Sequence, residues 1–182
     1  FCLNDEGGAI MCGYPDTVEK PAIPVPYCEE NMTGFEYSFA GLLISEGFIA
    51  EGLQVVRAIR DRYDGEKRNP WNEIECGSNY ARSMASYALM PIYSGFTFDM
   101  TKKHIGFAPI SDTGTYLFSV GESWGTVELD GKSCRLTVLG NALLLNSISI
   151  PNSENITVVT VDGIDCDFEI ADGKILLGNI EI

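Results

Sequence analysis

A change in hydrophobic period near Tyr93 constrains the fold of this chain more than any other feature of its sequence. Before Tyr93, apolar residues recur every three or four positions, as in TGFEYSFAGLLISEG and EGLQVVRAIRDRYDG, which is typical of helices. After Tyr93 the period becomes two, and short β-like runs alternate with turn signals. The sequence therefore predicts an α+β chain, with a helical part over residues 1–93 and a β part over residues 94–182.

Three helices are predicted in the first part, over residues 35–46, 48–64 and 78–92. Thr33 is the expected N-cap of the first helix, and Glu36 is expected to complete a capping box with it. Apolar residues at helical spacing are expected to face the core: Phe35, Phe39, Leu42 and Leu43 in the first helix, Ile49, Leu53, Val56, Ile59 and Tyr63 in the second, and Met84, Tyr87, Ala88 and Ile92 in the third. Three helices of this length cannot enclose a core, so either the β part covers them or further helices precede this chain, and we favour the second alternative.

The second part is predicted to be an antiparallel all-β unit. Its strand-like runs follow one another at short intervals from GFTFDM to KILLGNIEI. Four dipeptides that favour tight hairpins lie between the runs: Asp130-Gly131, Gly140-Asn141, Asp162-Gly163 and Asp172-Gly173.

The charge of the chain argues against polyanionic partners. The net charge is −14, with 7 basic and 14 acidic residues in the first 92 positions and 5 and 12 in the rest. No basic patch is available to neutralise phosphates, so neither nucleic acid nor an anionic membrane surface is an expected partner. The sequence also has no apolar run long enough for a transmembrane helix and no signal peptide pattern.

The six cysteines are scattered and form no C-x-x-C pair. This pattern indicates no metal site and favours free thiols in a reducing, cytoplasmic compartment, and no cofactor is expected. Cys76 has no predicted histidine partner, because the only histidine, His104, falls on a strand of the other part and is expected to be an ordinary strand residue.

The loop RNPWNEIECGSNYARSMASY, residues 68–87, concentrates residues suited to binding a polar ligand. Trp71 offers a flat apolar face, and Glu73 and Glu75 alternate, so only one of these carboxylates is expected to face a pocket. Arg82 is expected about one turn inside the following helix, where its donors and a carboxylate could grip adjacent hydroxyls. Two structural alternatives remain open: an Arg–Glu bridge that ties the loop to the helix, and Trp71 as a core residue.

The run RDRYDGEKRNPWNEIECGSNYARSMASYAL resembles the C-terminal part of the catalytic domain of glycoside hydrolase family 116. This family includes the bile-acid β-glucosidase, or non-lysosomal glucosylceramidase, and many bacterial relatives. The resemblance covers roughly residues 30–95, and the β part resembles more loosely the C-terminal segment of bacterial members. It implies that residues 1–93 are the C-terminal part of an (α/α)6 barrel of a retaining exo-β-glycosidase.

The resemblance also implies roles for the loop residues. Glu73 matches the sugar-gripping glutamate of the family's NPWNE motif, and Arg82 matches the arginine nine residues later. Trp71 and Asn72 match the motif as well, and these four residues are expected to bind substrate in the −1 subsite. The partners expected on this ground are a small-molecule β-glycoside or oligosaccharide and the upstream remainder of the same chain.

No catalytic residue is expected within this chain. A retaining glycosidase needs two carboxyl groups about 5–5.5 Å apart, and in this family both lie upstream of the NPWNE motif. Two other functions stay open: a non-catalytic carbohydrate-binding or structural α+β module, and another (α/α)6 enzyme such as a lyase or a phosphorylase.

Overall fold

The computed structural model describes residue 2, residues 5–71 and residues 82–182. The chain divides into two compact units, Phe1–Leu89 and Met90–Ile182. The described part of the first unit contains helices and irregular segments, and the second unit consists mainly of strands. The chain is therefore an α+β protein with a C-terminal β unit, as the change of period predicts.

The first unit is built on a helical hairpin of α1 (Thr33–Ser45) and α2 (Ile49–Arg62). Only three residues link the two helices, so they run antiparallel. Gly47 ends α1 with a φ of 86°, a conformation that glycine adopts without strain. Both predicted helices are confirmed to within a few residues at their ends.

The close packing of α1 on α2 depends on small residues. The buried stripe of α1 has helical spacing and consists of Thr33, Glu36, Tyr37, Ala40, Gly41 and Ile44. On α2, a Cβ at Gly52 would stand 2.6 Å from Cγ1 of Ile44 and 2.8 Å from the carbonyl oxygen of Ala40. These distances leave no room for a side chain at Gly52, so the two backbones approach closely at this point.

The predicted buried face of α1 is wrong. Phe35, Phe39 and Leu42 are 53%, 44% and 57% exposed. The helix is apolar on nearly every side, so its sequence does not specify which side packs on α2. The side with the small residues packs there because it allows the closest approach, and Phe35, Phe39 and Leu42 remain outside. In α2 the prediction holds for Ile59 and Tyr63, which are buried, whereas Leu53 is exposed.

The capping box predicted at the start of α1 does not form. The N-cap residue is Met32, and among the described residues no side chain makes a capping hydrogen bond to the helix. The hydroxyl of Thr33 is buried without a hydrogen-bond partner among the described residues. The carboxylate of Glu36 turns instead toward α2, where it pairs with Arg62.

The predicted third helix is only partly α-helical in the described part of the chain. Arg82–Ala88 is a 3-10 helix, followed by α3 (Leu89–Ser94). Met84 and Tyr87, predicted to be buried, are 75% and 64% exposed. A 3-10 helix has three residues per turn, so a face deduced from the α-helical period does not apply to it. The start of the predicted helix, over residues 78–81, lies outside the described residues.

The second unit contains ten strands: β1 (Thr97–Asp99), β2 (His104–Gly106), β3 (Thr113–Val120), β4 (Ser123–Asp130), β5 (Cys134–Gly140), β6 (Leu144–Ser149), β7 (Thr160–Val161), β8 (Ile164–Asp165), β9 (Glu169–Ala171) and β10 (Lys174–Glu181). They form a five-stranded sheet in the order β1-β2-β6-β10-β9, a three-stranded sheet β3-β4-β5 and the small pair β7-β8. A 3-10 turn, Ser153–Asn155, follows β6.

One apolar core is shared by the two larger sheets. It contains residues of both, such as Ile105, Leu145 and Ile148 from the five-stranded sheet and Phe118 and Val127 from the three-stranded sheet. In β4 buried and more exposed residues alternate along the strand, as expected for a sheet with one face on the core.

Three of the four predicted hairpins are present. Asp130-Gly131, Asp162-Gly163 and Asp172-Gly173 each connect paired antiparallel strands. Gly140-Asn141 does not, because β5 and β6 belong to different sheets and the chain crosses from one to the other there. The antiparallel prediction also fails for one pairing, since β2 and β6 are parallel.

Within the described residues, no helix combines the length and the apolar content that crossing a membrane requires.

Candidate functional site

Two of the four predicted substrate-binding residues, Trp71 and Arg82, are described by the structure. Asn72 and Glu73 lie outside the described residues, as do Glu75 and Cys76. The predicted pairing of Glu73 with Arg82 therefore stays a prediction. The surroundings of Trp71 and Arg82 nevertheless show how this part of the first unit is built.

Trp71 is not a core residue. Its side chain is 68% exposed, so within the described residues it is not packed in a core. The backbone N–H of Trp71 donates to Oδ1 of Asn69 at 2.9 Å, a side-chain turn that fixes the approach to the tryptophan through Pro70. The indole thus offers an accessible flat face of the kind on which a sugar can stack.

Arg82 is anchored on the first turn of α1. Its guanidinium carbon lies 5.9 Å from the centre of the Phe35 ring, and its Nη1 approaches Sδ of Met32 at 3.6 Å. A Cβ at Gly34 would stand 3.3 Å from Cβ of Arg82, so a glycine there lets the arginine lie close to the helix. These contacts hold the stem of Arg82 and orient its planar group of donors.

A buried ion pair lies one residue farther along α1. Nη2 of Arg62 donates to Oε2 of Glu36, and the two side chains are 0% and 1% exposed. The other carboxylate oxygen, Oε1, accepts a hydrogen bond from the backbone N–H of Ala9 at 2.8 Å. Nη1 of Arg62 donates to the carbonyl oxygen of Gly7 at 2.6 Å. The pair therefore joins α1, α2 and the N-terminal segment, residues 6–9, in one polar cluster.

Gly8 lies directly against this cluster. A Cβ at Gly8 would stand 2.5 Å from Nη1 of Arg62 and 2.8 Å from Oε1 of Glu36. Only glycine lets the backbone of the N-terminal segment lie this close to the ion pair. Because this segment covers the carboxylate of Glu36 and both its oxygens are bonded, Glu36 cannot serve as a catalytic acid or base in this conformation.

The sequence prediction missed this ion pair, although a signal for it was present. Glu36 and Arg62 each occupy a position at helical spacing from buried apolar residues, Ala40 in α1 and Ile59 in α2. Such charges indicate a buried pair only once the buried stripe of each helix is known, because an unpaired buried charge is costly, and the sequence of α1 does not specify its buried stripe.

A second ion pair fixes the segment that leads to Trp71. The guanidinium of Arg68 binds the carboxylate of Glu6 through two hydrogen bonds, Nη1–Oε1 at 2.7 Å and Nη2–Oε2 at 3.0 Å. This bond with Glu6 raises the pKa of Arg68 above its usual value. Arg68 also lies over the ring of Tyr63 at 5.8 Å. The N-terminal segment therefore holds both the hairpin and the start of the loop.

Within the described residues, no three His, Cys, Asp or Glu side chains form a group that could hold a metal ion. The cysteines described there are free thiols.

No protein-family model matches the chain. No curated protein matches it either.

Proposed function

We propose that this chain is part of a retaining exo-β-glycosidase whose catalytic domain is an (α/α)6 barrel. In this proposal residues 1–93 supply the last helices of the barrel and part of the −1 subsite, and residues 94–182 form a C-terminal β domain. The catalytic carboxyl pair belongs to the upstream part of the same chain. The resemblance of the NPWNE loop motivates the proposal, and the exposed apolar face of α1 is the observation that carries it.

The exposed face of α1 is large for a helix that needs no further partner. Phe35, Phe39 and Leu42 lie on one side of the helix at helical spacing, each between 44% and 57% exposed. Completely burying a side chain of this size contributes about 1.5–3 kcal/mol relative to leaving it exposed. A hairpin that packs only through its small residues forgoes much of this stabilisation. In a barrel of helical hairpins each helix contacts neighbours on both sides, and such neighbours would cover this face.

The position of Arg82 supports a role in binding sugar hydroxyls. Contacts with Phe35 and Met32 hold its side chain, so little conformational freedom remains to be lost when its donors bind a ligand. A sugar hydroxyl both donates and accepts, so a donor-only guanidinium and the acceptor-only carboxylate of Glu73 would together satisfy it. The exposed face of Trp71 completes a set of groups suited to a saccharide.

Substitutions in the complete enzyme test the proposal. A hydrogen bond to a charged group contributes about 1.5–3 kcal/mol. At 1.36 kcal/mol per decade, Glu73→Gln or Arg82→Lys should therefore lower kcat/KM for a nitrophenyl β-glycoside roughly ten- to a hundredfold. Lysine fails at position 82 because it lacks the planar fork of donors. Arg57→Lys, on the exposed side of α2, is the matched control and should leave kcat/KM unchanged.

Melting temperatures measured on the same variants separate binding from stability. If Arg82→Lys melts several degrees lower but keeps the kcat/KM of the parent at 25 °C, Arg82 is a structural clamp and the proposal is wrong. The 182-residue chain alone should release no nitrophenol from β-glucosides or β-xylosides. Turnover by this chain that disappears in Glu73→Gln would instead make Glu73 itself catalytic.

A further inference from the structure

An open cleft of about 800 Å³ lies on the outer face of the five-stranded sheet of the second unit. The register aligns Asp99 with His104 and His104 with Ser147, so these three side chains form a row across β1, β2 and β6. Their neighbours along the strands, Ile105 and Ile148, belong to the apolar core. Because side chains alternate between the two faces of a strand, the polar row lies on the face away from the core.

The charge of the cleft is opposite to that of the unit around it. The second unit has 5 basic and 12 acidic residues. Three of the five basic residues line this one cleft: Lys102, Lys103 and Lys174. The acidic side chains in the lining are Asp99 and Asp172. The cleft thus has an excess of positive charge in a unit that is otherwise strongly negative.

The partners of these groups show which cation is available. Asp99 accepts hydrogen bonds from Thr101 and pairs with Lys102 at 3.0 Å. Nζ of Lys103 donates to Oδ1 of Asn179 at 2.7 Å. The side chain of Lys174 is half-buried, and within the described part of the chain it has no hydrogen-bond or ion-pair partner. The ammonium group of Lys174 therefore keeps all three of its donors for an anion.

The pKa of His104 also reflects the positive charge of the cleft. Burial, followed by the charge of Lys174, lowers the pKa of His104, and Lys102 acts in the same direction, whereas a hydrogen bond with the backbone of Ser147 and the charge of Asp99 oppose this shift. Nδ1 of His104 lies 2.8 Å from Oγ of Ser147. An anion bound beside Lys174 would offset the positive charge that His104 experiences and would raise the pKa of His104.

We propose that this cleft binds the oxyanion of a small molecule, a carboxylate or a phosphate group. Lys174 supplies the principal charge, and His104 and the hydroxyl of Ser147 supply hydrogen-bonding groups beside it. The site belongs to the second unit, and it does not depend on the sugar subsite proposed for the first. The two sites would recognise different chemistry, because the cleft selects for negative charge and the sugar subsite selects for hydroxyls.

NMR titration of His104 tests the proposal directly. His104 is the only histidine of the chain, so its imidazole Cε1–H signal is identified without assignment experiments. We expect a saturable shift of this signal, and a rise in the pKa of His104, on addition of inorganic phosphate or glucuronate at constant ionic strength. Glucose, a neutral sugar of similar shape to glucuronate, should produce neither change. Saturation by phosphate alone assigns the site to phosphoryl groups, and saturation by glucuronate alone assigns it to carboxylates.

Two charge-matched variants complete the test. Lys174→Gln should weaken anion binding at least about tenfold, as expected for the loss of a charge-assisted hydrogen bond. Lys132→Gln makes the same change of charge on the β4–β5 turn, outside the lining of the cleft, and should leave the affinity unchanged. Equal weakening by both variants would show a general effect of charge and overturn the proposal. The absence of a saturable shift with either anion up to about 10 mM, ten times a weak millimolar Kd, would overturn it as well.

Discussion

Replacing one member of the buried Glu36–Arg62 pair should destabilise the first unit strongly, and replacing both should cost less than the two single losses added together. Arg62→Met leaves the carboxylate of Glu36 in a site where it is 1% exposed. Glu36→Leu leaves the guanidinium of Arg62 in an equally buried position. Removal of one partner from such a pair costs about 3–5 kcal/mol, because the remaining charge is uncompensated.

The double variant, Glu36→Leu with Arg62→Met, contains no uncompensated charge. It leaves two backbone groups without these partners, the N–H of Ala9 and the carbonyl of Gly7. An unsatisfied buried polar group costs about 1–3 kcal/mol, and new apolar contacts of leucine and methionine offset part of this cost. We therefore expect the double variant to be more stable than at least one of the single variants.

Urea unfolding followed by far-UV circular dichroism at 222 nm measures the stability of the parent, the two single variants and the double variant. The signal reports the first unit because α1 and α2 both lie in it. Fluorescence of Trp124 in a Trp71→Phe background reports the second unit, and its transition should not move. Glu29→Gln is the control, since Lys20 and Glu29 form an ion pair on an exposed surface, and we expect no measurable change. Additive losses in the double variant would refute the reasoning, because they would show that the two charges do not interact.

Two further predictions concern packing and thiol reactivity. Gly52→Ala should destabilise the helical hairpin by about 1–3 kcal/mol, because its Cβ would collide with the backbone of α1. Gly7→Ala should be tolerated, because no atom of the described residues lies within 4 Å of the added Cβ. Equal urea midpoints for the two variants would contradict the close packing. Burial raises the pKa of the Cys134 thiol to about 11, so at pH 8 Cys134 should react with a thiol reagent far more slowly than the exposed Cys12. Mass spectrometry can follow the modification of each cysteine separately. Comparable rates in the folded protein would show that Cys134 is accessible.

Local sequence signals predicted much of the architecture. The two helices of the hairpin follow from the apolar period of 3.6, and the hairpins at Asp162-Gly163 and Asp172-Gly173 follow from residues that accept positive φ. Such features depend on a few adjacent residues, so one sequence is enough to predict them.

Features that depend on distant partners could not be predicted. The buried side of α1 was missed because the backbone at Ala40 can approach α2 closely only if Gly52 lies opposite it. The parallel pairing of β2 with β6 was missed because the whole three-stranded sheet lies between these strands in sequence. In the candidate site, Trp71 and Arg82 were singled out by their chemistry, whereas the ion pair of Glu36 required knowing that two helices meet.

The strand order of the second unit also determines when this unit can fold during synthesis. The β3-β4-β5 sheet has only local pairings, so it can form once Gly140 has been synthesised. The five-stranded sheet must wait for Lys174–Glu181, because β10 lies between β6 and β9 and contributes Ile175 and Leu177 to the core. Until then the edge of β6 stays unpaired and part of the apolar core is open, a state prone to aggregation. A ribosome that stalls before these eight residues would therefore release a chain whose β unit cannot close.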